Sequence, residues 1–416
     1  MLNASRAVRE PVGGACGSRR GRAVLGSFGM SAAVALVCAH AALGAPARAF
    51  SEFRIPASTS DPGGIAVGRE GDLWFTETRR SAIGRVTPNG KFRAFPLPAH
   101  STPTGIVAAP DGSLWFTEGN DIGRITPSGT ISQFPIPPTE ARFSPTGPLL
   151  DGSSPYAITM GPEGNLWFPE WFADKIGRIT PSGTISQFQI PTAESRPYGI
   201  TLGPDGNLWF TEERGDKIGR ITPSGVINEF QISTGNNFPY GITDGPDGNL
   251  WFTEAFADKI GRITPSGAIS EFQVPTTRST LSYGITVGRK GNLWFTEEKA
   301  DKIGRITTGG KISEFRIPTS ASSPTAITSS ANGNLWFTEW AGNRIGLLRP
   351  GLLRCLVPKL KGKTLTQAKK LLNQGQCVAG KILEATKHKG KLVVVGQTPA
   401  AKKVLPYEAK VTVRLG

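Results

Sequence analysis

Leu208-Trp209-Phe210-Thr211-Glu212 is one of seven near-identical pentapeptides in a chain of 416 residues. The other copies end at Glu77, Glu118, Glu170, Glu254, Glu297 and Glu339, and only the third departs from the pattern, with Pro169 in place of threonine. The tryptophans at 74, 115, 167, 209, 251, 294 and 336 fall 41, 52, 42, 42, 43 and 42 positions apart. A period near 42 built from short β-like runs predicts a mainly β fold, a seven-bladed β-propeller with one four-stranded blade per repeat.

The fourth copy shows how the period is filled. Tyr198 to Leu202 reads as the innermost strand, ended by the turn Gly203-Pro204-Asp205-Gly206. Leu208 to Glu212 is the second strand, and its unbroken Leu-Trp-Phe suits burial on both faces. Lys217 to Ile221 is the third, closed by Thr222-Pro223-Ser224-Gly225, and Val226 to Ile232 alternates as a half-exposed outer strand should. The last repeat stops at Leu347 without an outer strand, whereas Ser51-Glu52-Phe53-Arg54-Ile55-Pro56 matches Ser313 to Pro318 and precedes the first full repeat. An N-terminal strand that closes the last blade is therefore predicted, which removes a free sheet edge.

Outside the repeats, Arg6, Arg9, Arg19, Arg20 and Arg22 precede an apolar run from Ala23 to Leu43 and the small residues Ala47-Arg48-Ala49. Residues 1–49 read as an export signal cleaved near Ala49, with an uncleaved anchor as the alternative. Ser18-Arg19-Arg20 is a weak cue for twin-arginine export. The mature chain is then secreted or envelope-associated. The formal net charge of +15 is uneven: residues 50–350 balance to −2, whereas residues 351–416 carry fourteen basic and two acidic residues. Outside the cell, such a cationic segment suits anionic wall polymers or lipid headgroups rather than nucleic acid. Cys355 and Cys377, the pair left after the signal, are expected to form a disulfide. A metal site is not expected there, since only His388 lies nearby.

In a four-stranded meander, the loop before the innermost strand and the loop after the second strand open on one face. Loop length varies there: Pro137 to Pro155 is the long case, so 139–154 is a candidate binding loop. At the x of Pro-x-Gly-Ile stand Gly63, Thr104, Tyr156, Tyr198, Tyr240, Tyr283 and Thr325. Four of the five tyrosines at one register predict a stacking and hydrogen-bonding surface for a small molecule or peptide, or else a plug at the channel mouth. Trp171 and Trp340, which follow the repeated glutamate in two blades, break the symmetry and join the candidates. The repeated glutamates are expected to pair with the arginine of the third strand, as Glu212 with Arg220. Leu347 replaces that arginine in the last blade, which leaves Glu339 as the freest carboxylate. The Asp-Lys steps at 174, 216, 258 and 301 read as solvated loop decoration.

The combination Trp-Phe-Thr-Glu, Asp-Lys-Ile-Gly-Arg-Ile-Thr and Ile-Ser-Glu-Phe over 51–348 resembles the streptogramin B lyases (virginiamycin B lyases). The resemblance implies a seven-bladed propeller and Mg²⁺-dependent elimination that linearises cyclic depsipeptide antibiotics. It also implies an active centre of histidines at x in the last two blades, one of them the general base, with a nearby glutamate. The matching positions here are Tyr283 and Thr325, with Glu339 as counterpart of the acid, and His100 is the one histidine between residues 50 and 350. Threonine does not act as a base near neutral pH, and tyrosine does so only with its pKa lowered by several units.

From Arg354 the pattern changes. Thr364-Leu365-Thr366-Gln367 is a capping-box start, Leu365, Ala368, Leu371 and Leu372 form a helical stripe, and Gly375 is a stop. With Val357-Pro358 before it and Gly396-Gln397-Thr398-Pro399 after it, residues 354–416 resemble a small α+β PASTA domain, which implies peptidoglycan recognition or a spacer role. The whole reads as an exported, monomeric, envelope-associated binding protein; a streptogramin B lyase-type enzyme is the alternative, with Mg²⁺ as its cofactor.

Overall fold

The computed structural model describes residues 49–138, 152–233, 235–277, 281–374, 377–384, 392–406 and 409–416. Residues 1–48, most of the 139–154 loop, Gly375 and His388 lie outside this set, as does the side chain of Tyr283.

Seven four-stranded antiparallel sheets follow one another as the blades of a propeller. In blade 4 the strands run Pro197–Leu202, Leu208–Glu212, Lys217–Ile221 and Ile227–Gln231, from the innermost outward. Blade 7 takes its outer strand from the N-terminal side: Phe50–Arg54 pairs antiparallel with Arg344–Leu348, Phe50 opposite Leu348 and Arg54 opposite Arg344. Ring closure therefore follows the reading of the orphan strand.

The repeat is explained by packing between blades. Side chains of a strand alternate between its faces. Leu208 and Phe210 join Trp167 and Ile176 of blade 3 in one buried cluster, while Trp209 joins Leu250 and Phe252 of blade 5 in the next. Trp209 also stacks on Phe230 of its own outer strand, ring centroids 5.4 Å apart. Opposite Phe210 in the third strand is Gly219, where an added Cβ would lie 2.0 Å from the ring. Each third strand carries glycine at this place for that reason, from Gly84 to Gly346.

Blade 3 is the exception. Its innermost strand is reduced to Thr159–Met160. In its neighbours, the threonine hydroxyl of the second strand accepts an amide of the innermost strand, as Gly199 N donates to Thr211 Oγ1 at 2.8 Å. Pro169 offers neither hydroxyl nor N–H. The single deviation in the pentapeptide thus coincides with the shortened innermost strand that follows Tyr156.

The C-terminal segment has a two-stranded sheet, Arg354–Leu356 with Val404–Pro406, and a three-stranded sheet in which Lys410–Leu415 lies between Val378–Glu384 and Val394–Thr398. Its helix, Leu365–Gln374, begins with the capping box: Thr364 N donates to Gln367 Oε1 and Gln367 N to Thr364 Oγ1. Gln397 ties the two motifs together, accepting from Leu360 N and donating to the Pro358 carbonyl. The Cys355–Cys377 disulfide is formed; a closed loop of that length stabilises by about 3 kcal/mol. No helix among the described residues is long and apolar enough to cross a membrane.

Candidate functional site

The innermost strands converge on a cavity of about 480 Å³. Buried threonines of the pentapeptide hold its wall. Thr211 Oγ1 donates to the Tyr240 carbonyl of blade 5 at 2.7 Å, Thr296 Oγ1 to the Thr325 carbonyl at 2.7 Å, and Thr338 Oγ1 to the Gly63 carbonyl at 2.8 Å. Every such bond joins the x residue of one blade to the second strand of the blade before it. Close approach is required here: a Cβ on Gly199 would lie 2.3 Å from the Tyr240 carbonyl oxygen.

The loops that deliver the x residues are pinned by the aspartates of the Asp-Lys steps, which corrects their reading as solvated decoration. Asp216 accepts the amides of Asn236, Asn237 and Phe238 at 2.7, 2.9 and 3.2 Å, just before Tyr240. Asp174 accepts Glu194 N and Arg196 N before Tyr198, and Asp301 accepts Ala321, Ser322 and Ser323 N before Thr325. Asp174 is 1% exposed. Asn343 takes the same role across the ring closure, accepting Ser60 N. These residues adopt positive φ near 50°, a region Asp and Asn tolerate.

Tyr156, Tyr198, Thr104, Thr325 and Trp340 line the cavity with Thr78 and Glu298. Tyr156 and Tyr198 stack at 4.8 Å, and Tyr240 leans on Tyr198 at 4.9 Å from outside the lining. Burial, reinforced by Glu213, pushes the Tyr156 phenol up, so it stays neutral at physiological pH. Trp171 does not line the cavity: its indole N–H donates to Glu213 Oε2 at 2.6 Å, Arg196 covers its face at 4.3 Å, and Tyr156 meets its edge at 5.7 Å. It buttresses Tyr156. Trp340 is 46% exposed at the mouth. The Thr104 hydroxyl donates to the Pro155 carbonyl and contacts Thr117 Oγ1; Thr325 Oγ1 meets Thr338 Oγ1 at 2.8 Å. Tyr283 lies in the innermost strand of blade 6, Leu281–Val287.

The expected glutamate–arginine pairs do not form. Antiparallel register puts Arg220 opposite Trp209 and Glu212 opposite Lys217. Arg220 therefore covers the Trp209 ring at 5.5 Å and approaches Asp205, at the far end of the strand from Glu212. Glu339 is not the freest carboxylate either: it is fully buried, opposite Arg344 and against the carboxyl group of Glu52. Burial, then the charge of Glu52, pushes its carboxyl up to about 8. The acid that faces the cavity is Glu298, one residue beyond the repeated Glu297. That register (Thr78, Gly119, Trp171, Glu213, Ala255, Glu298, Trp340) varies directly after an invariant glutamate, and this change from constant to variable is the signal that would have revealed Glu298 and Glu213.

Among the described residues no group of three or more His, Cys, Asp or Glu stands ready for a metal ion. One half-buried carboxylate beside threonine hydroxyls already bonded to protein is a poor match for the oxygen-ligand set of Mg²⁺.

A sequence profile of the virginiamycin B lyase family matches residues 40–148 and 146–352, and a PASTA domain profile matches 356–416. A streptogramin B lyase structure is 36% identical at a TM-score of 0.66, covering 72% of this chain and 97% of that one. Virginiamycin B lyase from Staphylococcus aureus is 40% identical with the same TM-score, covering 72% and 99%. A catalytically inactive histidine-to-alanine variant of that enzyme, solved with quinupristin, is 39% identical, with a TM-score of 0.66, and covers 72% and 98%. No functionally curated protein matches the chain.

Proposed function

Since the chain belongs to the virginiamycin B lyase family and carries a C-terminal PASTA domain, we propose that it is an exported, envelope-associated binding protein. In this reading the propeller holds a small molecule or peptide in its central cavity, and the PASTA domain attaches it to peptidoglycan or another wall polymer. The observation that carries the reading is the cavity lining: aromatic rings and aliphatic side chains surround it, with no histidine among the described lining residues. Tyr156 and Tyr198 supply stacking faces, Trp340 an exposed aromatic rim, and the Thr104 and Thr325 hydroxyls their remaining lone pairs. Where the resemblance implies histidines, this chain has Tyr283 and Thr325. A raised phenol such as Tyr156 is no base at neutral pH, and Glu339, buried and pushed up to about 8, is mostly protonated there.

Identity of 36–40% along the whole propeller favours the second reading, a lyase with a relocated base. Under the binding reading a type B streptogramin recovered from the protein with Mg²⁺ keeps its ring. For attachment, the test is retention on purified peptidoglycan of the full chain against a chain ending at Gly351. Loss of retention on truncation is expected, and equal retention would remove the anchoring role.

A further inference from the structure

The threonine hydroxyls of the described cavity lining have few protons left for a ligand. Thr78 Oγ1 donates to the Pro103 carbonyl at 2.7 Å, Thr104 Oγ1 to the Pro155 carbonyl at 2.9 Å, and Thr325 Oγ1 is engaged by Thr338. Each hydroxyl has one proton, so the first two threonines have none left to give. The aliphatic lining, Ile65, Ile106, Ile158, Ile200 and Ile242, gives none. Beyond the neutral polar tips of Tyr156, Tyr198 and Trp340, the described lining presents an occupant with π-surface and one charge. The π-surface comes from Tyr156, Tyr198 and the 46%-exposed Trp340. The charge comes from Glu298, the only ionisable acid or base other than tyrosine among the described lining residues. Glu298 and Trp340 occupy the same register in adjacent blades, one step past the repeated glutamate, and both line the cavity.

Acceptors, aromatic faces and a single carboxylate in an otherwise apolar cavity complement one chemical class. Resting on the binding role proposed for this cavity, we infer that its ligand is an organic cation, a protonated or quaternary amine on an apolar or aromatic body. Glu298 is the counter-charge, Trp340 supplies the cation–π face, and the tyrosines stack on the body. A carboxylate or phosphate ligand would meet Glu298 with like charge and find no lysine or arginine in the described lining. A cavity of about 480 Å³ admits a drug-sized molecule rather than a lone ammonium ion.

The experiment is calorimetric titration of the full chain with phenethylammonium, with the size-matched neutral 2-phenylethanol, and with both on Glu298→Gln and Trp340→Ala. The expected result is that phenethylammonium binds at least about tenfold more tightly than the alcohol. Glu298→Gln should weaken the amine far more than the alcohol and so remove that preference, and Trp340→Ala should weaken the amine several-fold. Equal binding of amine and alcohol to the wild type overturns the cation assignment and leaves the cavity as a binding site. Binding of neither probe overturns both the assignment and the binding role. Since the decisive comparison is two probes on the unaltered protein, it does not depend on how well either variant folds.

Discussion

Asp216 holds three consecutive amides of the loop that delivers Tyr240, which makes a single carboxylate responsible for the position of the ring that backs Tyr198. Asp216→Ala is expected to cost about 1–3 kcal/mol, since hydrogen bonds to a charged acceptor are lost. Hydrogen exchange should accelerate at the Asn236–Phe238 amides, and unchanged protection there would refute the anchoring. At this scale the sequence was partly legible. The x register was visible because a fixed repeat makes a run of tyrosines stand out, and four of these candidates do line the cavity: Tyr156, Tyr198, Thr104 and Thr325. The aspartates were misread because their partners lie about twenty residues on, in the loop of the next blade. Glu212 and Arg220 were paired wrongly because both recur in every blade, and recurrence cannot tell which residues register opposes; the pairing of Glu212 with Lys217 and of Trp209 with Arg220 decides it.

Within a blade, the outer strand controls the state of the buried glutamate. In blades 2 and 3 that strand supplies Gln133 and Gln187, whose amides donate to Glu118 and Glu170 at 2.8 and 2.9 Å. In blades 4 to 7 it supplies Glu229, Glu271, Glu314 and Glu52, and the carboxyls of Glu212, Glu254, Glu297 and Glu339 are pushed up to about 8, 9, 8 and 8. Burial is the main cause, with the neighbouring glutamate adding to it. In the unfolded chain these groups ionise near 4.5. Between those values the folded state keeps a proton that the unfolded state has lost. Their stabilisation is therefore full below about pH 4.5 and is lost as pH rises through 8 to 9, with a slope of up to about 1.4 kcal/mol per pH unit per group. Calorimetry should show a higher melting temperature at pH 5.5 than at pH 8.5, and Glu229→Gln should flatten the dependence by reproducing the arrangement of blade 3. A profile that rises with pH would contradict this. The closing strand is the second element with a clear test. Deleting residues 50–57 leaves Arg344–Leu348 as a bare edge and uncovers Trp336, which Phe53 overlies at 5.7 Å. Loss of the buried Ile55 alone costs about 1.5–3 kcal/mol, so an unchanged melting temperature would argue against closure by this strand.

The molecule as a whole joins a near-neutral ring to a strongly basic C-terminal segment, −2 against +12. Attachment to an anionic wall polymer through that segment should weaken as salt rises, because exposed charges are screened beyond about 10 Å at 0.1 M ionic strength. Retention on purified wall that does not change between low and high salt would place recognition elsewhere. The architecture at this scale was the most legible feature, since seven copies of one strand and one orphan outer strand leave little choice of fold. The chemistry was less legible, because the repeat constrains what is common to the blades and the cavity depends on what differs: Pro169, Glu298, Trp340 and the Tyr and Thr residues at x. The central claim is that these differences turn a lyase-family scaffold into a binding protein. Its most direct test is a mass-resolved time course of a type B streptogramin with Mg²⁺ and this chain, run beside the Staphylococcus aureus virginiamycin B lyase. The antibiotic is expected to stay cyclic with this chain while the relative opens it. Accumulation of a linear isomer of unchanged mass with this chain would contradict the claim.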